Sequence, residues 1–269
     1  MSHRSFFEDI TLDSSRKTKW TIFVKILSIW KGKENSVEMI LADEKGSRID
    51  ASIPPIKYKE KFKRWLKEGE WYLLNFFKVD VIPKSNPYSV HPFHLIFIPK
   101  TTMDPVGPKS TSQFFDFTSA TQIANATEAD KKRVVDACGV LMDVTPIAKI
   151  HYMDKDSGCE SEANMVIFKL KDASGRIMKC VAIGKTCDDF VKNWSRRVSD
   201  INYVNGSILC VLRFWRYATF QAQNCLMSDS GSSRCFFDKE FAEIDRKNYS
   251  GLEDSEEDEV FMEVVEQNF

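Results

Sequence analysis

Cysteine and histidine are the residues of this chain that could bind a metal ion, and their spacing does not favour it. His91 and His94 have no cluster of Cys or carboxylate residues at metal-ligand spacing. The number of cysteines is odd, and none belongs to a CxxC pair, which favours free thiols in a reducing compartment. We therefore predict no metal site and no cofactor. The seven cysteines all lie in the second half of the chain: Cys138, Cys159, Cys180, Cys187, Cys210, Cys225 and Cys235.

No group of residues has the spacing of a catalytic centre. The chain has four histidines, and it shows no carboxylate pair, no Ser/His/Asp set and no glycine-rich loop that would hold a phosphate. We predict that the protein is not an enzyme.

Aromatic and basic side chains are the remaining candidates for chemistry, because rings stack on the bases of single-stranded nucleic acid while Lys and Arg contact its phosphates. Trp30 stands beside a short loop that contains Lys31 and Lys33. The stretch Lys57–Glu68 holds six basic residues and places its aromatic residues on one helical face. It could contact nucleic acid, but we favour an amphipathic helix with a solvated basic side.

The elements that must position these residues include a β-hairpin at Met39–Ile53. Apolar residues run to Leu41, a polar turn follows at Asp43–Gly46, and Ile49, Ala51 and Ile53 then alternate with polar residues. Asp43 can accept a hydrogen bond from the backbone ahead of it, and Gly46 can adopt a positive φ. This pattern predicts two antiparallel strands joined by a tight turn.

The hairpin pattern occurs a second time at Val166–Ile183. Three residues of the first hairpin recur at a constant offset of 129 positions: Leu41, Asp43 and Gly46 correspond to Leu170, Asp172 and Gly175. Apolar stretches precede both hairpins, and a helix-like spacing of aromatic residues follows each of them. We interpret the chain as a duplicated domain with five strands and one short helix between the third and fourth strands. That arrangement is typical of the OB-fold barrel.

Length and composition allow two such domains. The chain has 269 residues, of which 43% are hydrophobic and 29% charged, which is ordinary for a soluble globular protein. We find no signal peptide and no run of apolar residues long enough to span a membrane. Three phenylalanines at 113–118 should pack against a barrel rather than stay in solvent. The predicted segments are a polar N-terminal arm at 1–17, a first OB-fold domain at 18–104, a connector at 105–130, a second OB-fold domain at 131–247 and an acidic tail at 248–269.

Charge is unevenly distributed along the chain. Residues 1–107 carry 18 Lys and Arg against 13 Asp and Glu, whereas residues 251–269 carry eight acidic and no basic residues. The formal net charge of −1 therefore understates the attraction of the first domain for polyanions.

The sequence resembles the large subunit of replication protein A, in particular its two central single-strand-binding OB domains and the segment between them. The resemblance is carried by the two hairpins, the connector Phe115-Asp116-Phe117-Thr118 and the opening of the second domain at Val135–Gly139. The run Asp43–Ile53, followed later by His91-Pro92, is closest to the plant branch of this superfamily. Together these motifs cover roughly residues 18–245, and their order and spacing are more specific than any one of them.

The resemblance implies binding of single-stranded DNA, or of RNA, with low sequence specificity, in DNA replication, repair or recombination and in the nucleus. The family uses two stacking aromatics in each domain. The position in the turn between strands four and five falls on Tyr88 and on Phe220, and Arg216 matches a family arginine on the strand before that turn. The position after the hairpin turn falls on Ile53 and Ile183.

Isoleucine has no π-face, so two of the four stacking positions depart from the family pattern. Either Trp30 or Phe77 could compensate, although each ring could equally belong to the core. The predicted nucleic-acid-binding residues are Trp30, Lys31, Lys33, Arg48, Tyr88, Arg216 and Phe220.

Two alternatives remain open from the sequence. The chain could be a protein-interaction module that has kept the OB fold and lost nucleic-acid binding. The acidic tail could be a solvated end, a segment that binds a protein partner, or a segment that competes with nucleic acid for the basic groove.

Overall fold

A computed structural model describes the chain as two compact units, Met1–Phe114 and Phe115–Phe269. The described residues are 4–12, 20–55, 61–62, 65–81, 87–153, 160–199, 207–229, 231–250 and 252. The predicted acidic tail lies outside them except for its residues up to Ser250 and Leu252. Both units are mainly β. In the described ranges, no helix has the length and apolar character that crossing a membrane requires.

The first unit contains one sheet in the order β5-β6-β3-β2-β1-β4-β7. β3 and β6 are parallel, and the other neighbours are antiparallel. β4 and β5 follow each other closely and are separated at Phe76, whose φ is 57°. From β5 to β4 the pairings therefore pass through five strands, with the fourth divided into β4 and β5, and β7 pairs with β4 as a further strand. The strands are β1 Thr21–Lys31, β2 Val37–Asp43, β3 Arg48–Ile53, β4 Trp71–Asn75, β5 Lys78–Val81, β6 Phe93–Ile96 and β7 Thr102–Val106.

The second unit contains a ring of five paired strands, β8-β10-β11-β13-β12, because β12 pairs back to β8. β9 extends β10 into a long arm, and β14 pairs with β12. The strands are β8 Val134–Val144, β9 Ala148–Met153, β10 Glu160–Lys171, β11 Ile177–Ile183, β12 Leu209–Phe220, β13 Gln223–Met227 and β14 Arg234–Phe237.

The described part of the second unit contains two α-helices, α1 at Ala120–Ala124 and α2 at Lys185–Val198. α2 lies between the third and fourth strands of the ring, which confirms the predicted position of a helix in this unit. It buries Phe190, whose ring stacks on Phe168 at 4.4 Å between centroids. In the first unit the predicted helix Lys57–Glu68 falls partly outside the described residues, and Lys61 and Phe62 are helical.

Both predicted hairpin turns form around an aspartate. Oδ1 of Asp43 accepts hydrogen bonds from the amides of Lys45 and Ser47, each at 3.0 Å. Oδ1 of Asp172 accepts from the amides of Ser174 and Arg176 at 2.9 and 3.1 Å. The glycine of each turn has a positive φ, 85° in the first hairpin and 78° in the second. The turn chemistry read from the sequence is therefore confirmed in both copies.

The second oxygen of each aspartate holds the segment that precedes the first strand. Oδ2 of Asp43 accepts from the amide of Phe7 at 2.9 Å, and Oδ2 of Asp172 accepts from the amide of Ala120 at 2.8 Å. Three residues further on, Ile10 and Ile123 are buried. The correspondence between the two units thus extends upstream of the strands. Phe7 and Ile10, which the sequence analysis assigned to a polar arm, pack in the core of the first unit, because one helical turn places these two apolar residues on the same side.

The two aspartates differ in their titration. Burial is the largest influence on both carboxyls and raises the pKa of Asp43 above its ordinary value. At Asp172, hydrogen bonds from Ser174, Ala120 and Arg176 together outweigh burial, so the pKa of this carboxyl lies below its ordinary value. The Asp172 carboxylate therefore stabilises the folded chain at neutral pH.

We expect Asp172→Asn to lower the free energy of unfolding at pH 7 by about 1–3 kcal/mol, because an amide nitrogen would face the Ala120 amide. The folded-state pKa of Asp172 is depressed, so its stabilisation is present above the ordinary pKa of 3.8 and is lost as pH falls through the folded value. Urea unfolding between pH 7 and pH 2 should show the deficit of the variant shrinking at the acid end.

Asp43→Asn is the matched control for this prediction. Its carboxyl makes the same turn, but its pKa is raised, so the ionised form is less favourable in the folded chain at neutral pH. The control should cost less stability at pH 7 than Asp172→Asn. Equal deficits for the two variants, unchanged across the pH range, would contradict the assignment.

Candidate nucleic-acid interface

The side of the second unit that faces away from its main core is lined by apolar residues. On β10 and β11, Val166 and Ala182 point into the core, so their neighbours Met165, Val181 and Ile183 point outward. We call this surface the outer face of the second unit. Its floor is formed by Met165, Val181 and Cys225, and the partly buried residues around them are Ile150, Ile167, Ile183, Ala218, Phe220 and Met227.

Phe220 stands at one edge of this outer face, where the sequence analysis placed a stacking aromatic. It ends β12 immediately before a tight turn in which Gln221 and Ala222 have φ values of 52° and 59°. Its ring is partly exposed and lies 5.0 Å from Nζ of Lys179. Lys179 also donates a hydrogen bond to Oε1 of Gln221 at 2.8 Å. The turn therefore presents a ring and a cation together.

Tyr152 stands on the β9–β10 arm and was not identified from the sequence. Tyr152 pairs with Ser161, and Met165, four residues later on β10, pairs with Ile183. Directly paired residues of antiparallel strands share a face, so Tyr152 projects on the same side as Ile183. Its exposed fraction is 44%. The alternation of Ile150 and Tyr152 with polar neighbours is a strand signal that could have revealed it.

Arg216 lies on the strand that leads to Phe220, as expected, but its guanidinium is already engaged. Nε donates to Oδ2 of Asp229 at 2.6 Å, and a second nitrogen donates to the carbonyl of Lys132 at 3.2 Å. Because a partly buried carboxylate neutralises this cation, its attraction for a phosphate is reduced. Lys179 is the better-placed cation of this face.

Trp30 and Tyr88 meet in the first unit. Their ring centroids are 4.8 Å apart with planes at 68°, an edge-to-face contact. The amide of Tyr88 donates to Oδ2 of Asp50 at 3.1 Å, which fixes the loop to β3. Both rings are partly exposed. The structure therefore brings together two residues that the sequence analysis selected 58 positions apart along the chain.

A depression of about 370 Å³ lies beside Trp30. Its surroundings are mainly apolar, and its lining includes Trp30, Lys31, Val37 and Leu66. Lys31 and Lys33 are exposed where β1 ends and the next loop begins. These two lysines are the predicted cations that solvent reaches most freely in this unit.

Ile53 lies on the core side of β3 and also lines the depression beside Trp30. It is wholly buried and belongs to the core of the first unit, whereas Ile183 lies on the outer face of the second. Ile183 follows its turn glycine by eight residues and Ile53 follows its own by seven. An odd difference reverses the side of a strand on which a residue points. The two isoleucines therefore point to opposite sides of their strands and are not equivalent positions.

The outward positions of β3 are polar and shielded in the first unit. Asp50 and Ser52 alternate with the core residues Ile49, Ala51 and Ile53, yet Asp50 is only 1% and Ser52 9% exposed. The Tyr88 loop, bonded to Asp50, lies against this side. We call it the outer face of the first unit. The outer face of the first unit is polar and shielded from solvent, whereas the outer face of the second unit is apolar and partly exposed.

Other predicted or alternative site residues are buried or make hydrogen bonds within the chain. Phe77 is buried and stacks on Trp20 at 5.7 Å between centroids, so it cannot act as a substitute platform. Arg48 donates to the carbonyl of Phe114. His91 lies 3.1 Å from the carbonyl of Phe7, and His94 is buried. In the part of the chain that the structure describes, no three His, Cys, Asp or Glu side chains are grouped as a metal site.

The described cysteines are free thiols. Burial raises the pKa of Cys138 and that of Cys187 to about 11, so both stay protonated at neutral pH. These two buried thiols pack as small apolar groups.

Comparison with known proteins supports the fold. A family model described as a domain of unknown function, DUF223, matches residues 13–126, which is less than half of the chain. No curated protein sequence matched. Among solved structures, one chain of a replication protein A heterotrimer bound to ssDNA is similar at a TM-score of 0.58 and 16% identity, over 97% of this chain and 54% of that chain. The present chain thus spans about half the length of that relative and shares its OB-type architecture.

Two further solved structures are more distant. DNA binding domain A of replication protein A from S. cerevisiae gives a TM-score of 0.32 at 16% identity, over 40% of this chain and 96% of that domain. A murine DNA binding protein bound with ds DNA gives 0.39 at 10% identity, over 81% of this chain and 94% of that chain.

Proposed function

We propose that this protein consists of two tandem OB-fold barrels and binds single-stranded nucleic acid with little sequence preference. DNA is the proposed ligand, and RNA is the alternative. The observation that carries the proposal is the outer face of the second unit. Partly exposed Phe220 stands at its edge beside Lys179, exposed Tyr152 stands on the arm, and an apolar floor lies between them.

This arrangement suits a single strand for a physical reason. Every base has a π-face, so stacking on Phe220 or Tyr152 is worth about 1–3 kcal/mol per base and does not depend strongly on base identity. Lys179 supplies a cation beside the stacked base for a neighbouring phosphate. The apolar side chains between the rings offer unstacked bases a surface that removes them from water, which is favourable for their apolar parts.

The first unit contributes less to binding in this proposal. Its contacts would come from Trp30, Tyr88 and the exposed Lys31 and Lys33, at one end of an outer face that is otherwise closed. Arg216 and Arg48, both predicted to contact phosphates, already have partners within the chain. We therefore assign the main binding surface to the second unit.

The broader role follows only from the resemblance to replication protein A. We propose a non-enzymatic function in DNA replication, repair or recombination, carried out in the nucleus. Recognition of a protein partner by the acidic tail stays a prediction, because residues 253–269 lie outside the described part of the chain.

One observation favours the alternative function, a protein-interaction module. Asp50 and Ser52 on the outer face of the first unit are polar and almost fully shielded, and neither could stack a base. If the second unit also failed to bind nucleic acid, the partly exposed apolar residues of its outer face would suit a protein surface better.

Titration of labelled oligo(dT) with the purified full chain, at several salt concentrations, tests the proposed function. We expect binding with a log–log salt slope of about −2, since Lys31, Lys33 and Lys179 would each contribute about −0.7 on single strands. A duplex of the same length should bind more weakly, because its bases cannot stack on the rings. Absence of binding at about 50 mM salt would reject the proposal and favour the interaction module.

A further inference from the structure

The segment Ser110–Phe114 folds against the outer face of the first unit. The amide of Ser112 donates to Oγ of Ser110 at 3.0 Å, and the amide of Phe114 donates to Oγ of Ser112 at 2.9 Å. Phe114 has a φ of 55°, in the left-handed region that bulky residues rarely adopt. The segment is thus a compact turn with a strained residue at its end. We call it the strap.

The strap carbonyls take hydrogen bonds from two basic side chains of the first unit. Nζ of Lys25 donates to the carbonyl of Ser112 at 2.7 Å, and the guanidinium of Arg48 donates to the carbonyl of Phe114. Lys25 is only 3% exposed under this cover. Both cations are therefore directed at main-chain oxygen atoms of the strap.

The Phe114 ring holds the strap in place. It lies 5.9 Å from Nζ of Lys25 and 6.1 Å from the Trp71 ring, centroid to centroid. It also covers Gly46 so closely that a Cβ there would meet it at 2.9 Å. Removing the ring would remove these contacts and leave both carbonyls in the chain.

Lys25 and Arg48 lie in one row across the outer face, because Lys25 pairs with Ala42 and Ala42 pairs with Arg48. Trp30 lies in a parallel row with Ser52 through Glu38. Arg48 and Ser52 are four residues apart on β3, roughly 13 Å. Lys25 and Arg48 thus lie at one end of the outer face of the first unit, and the Trp30–Tyr88 contact lies at the other end. The distance between the two ends corresponds to a few nucleotides of a single strand.

We propose that Lys25 and Arg48 form a phosphodiester-binding site, that the strap occupies this site in the unbound chain, and that a nucleic-acid strand displaces the strap. The inference rests on the proposed function. A phosphate carries a full negative charge and makes stronger hydrogen bonds to cations than a neutral carbonyl does. Release also relieves the left-handed backbone of Phe114. Because the strand and the strap compete for the same two cations, the apparent affinity of the chain for nucleic acid is lower than the affinity of the open site.

Phe114→Ala in the full chain tests the proposal. We expect this variant to bind oligo(dT) about threefold or more tightly than the wild type does, because the competing strap is weakened. The salt slope should be the same for the variant and the wild type, because the strand contacts Lys25 and Arg48 in both complexes; it should be about 1.4 steeper than contacts to Lys31, Lys33 and Lys179 alone would give. Phe76→Ala is the matched control, because Phe76 is an exposed phenylalanine of the same unit with a similar φ of 57° that lies outside the strap. It should leave affinity and slope unchanged.

Hydrogen exchange on the wild-type chain provides a readout that does not depend on the variant. The amides of Ser112 and Phe114 should lose protection when oligo(dT) is added. If the chain binds oligo(dT) but Phe114→Ala does not tighten binding and these amides stay protected, the strap proposal is wrong and the proposed function stands. If neither chain binds, both are wrong. Binding by Phe114→Ala alone would support both.

Discussion

Leucine in place of Phe220 should weaken oligo(dT) binding by about 1–3 kcal/mol and leave the free energy of unfolding nearly unchanged. Leucine keeps the apolar contacts that Phe220 makes with the floor of the outer face but has no π-face for a base. Tyr152→Leu should have an effect of the same size. The rings stand on different elements, so the double variant should lose about the sum.

Fluorescence anisotropy with labelled oligo(dT) measures these losses, and urea unfolding of the same samples measures stability. Trp65→Leu is a suitable control, because Trp65 is an exposed aromatic of the first unit that does not lie on the outer face of the second. It should bind normally. Normal binding by the Phe220 and Tyr152 double variant would show that this face does not hold the strand, whatever the affinity of the wild type.

Ile183→Trp should tighten oligo(dT) binding by about 1–3 kcal/mol, which is roughly 5- to 150-fold in Kd. Ile183 is partly exposed on the outer face of the second unit and lies in the apolar cluster that includes Phe220. An indole at this position would add a π-face between the arm and the turn. The same titration measures the gain.

Ile53→Phe should act in the opposite way, although the sequence suggested that the two isoleucines are equivalent. Ile53 is wholly buried, so a larger ring would overpack the core and lower the free energy of unfolding by about 1–3 kcal/mol. No gain in affinity should accompany that loss. Tighter binding by Ile53→Phe, without loss of stability, would contradict the assignment of faces.

The comparison of the two units suggests that duplicated domains have diverged on their outer faces. The second unit exposes Phe220, Ile183 and a long arm with Tyr152. In the first unit, Asp50 occupies an outward position on the corresponding strand, and the loop that contains Tyr88 covers it. Their hairpin turns remain almost identical. The structure thus keeps the turns that build the fold and varies the surface that would bind a ligand.

The sequence by itself determined the features that depend on consecutive residues. An aspartate followed three positions later by a glycine specifies the turn in both hairpins, since the carboxylate bonds the amides just ahead of it and glycine accepts the positive φ. The positions of Tyr88 and Phe220 beside turns, and of α2 after the second hairpin, were also predictable, because local propensity and spacing decide them.

Only the tertiary structure decided which of these residues reach solvent and which cations have partners. Arg48 meets a carbonyl 66 residues away and Lys25 one 87 residues away, and no local pattern encodes such pairs. Strand register decided that Ile53 is buried and Tyr152 exposed, because a shift of one residue moves a side chain to the opposite face. Long-range pairing and register, rather than residue type, therefore decide which side chains lie on the proposed binding surface of this chain.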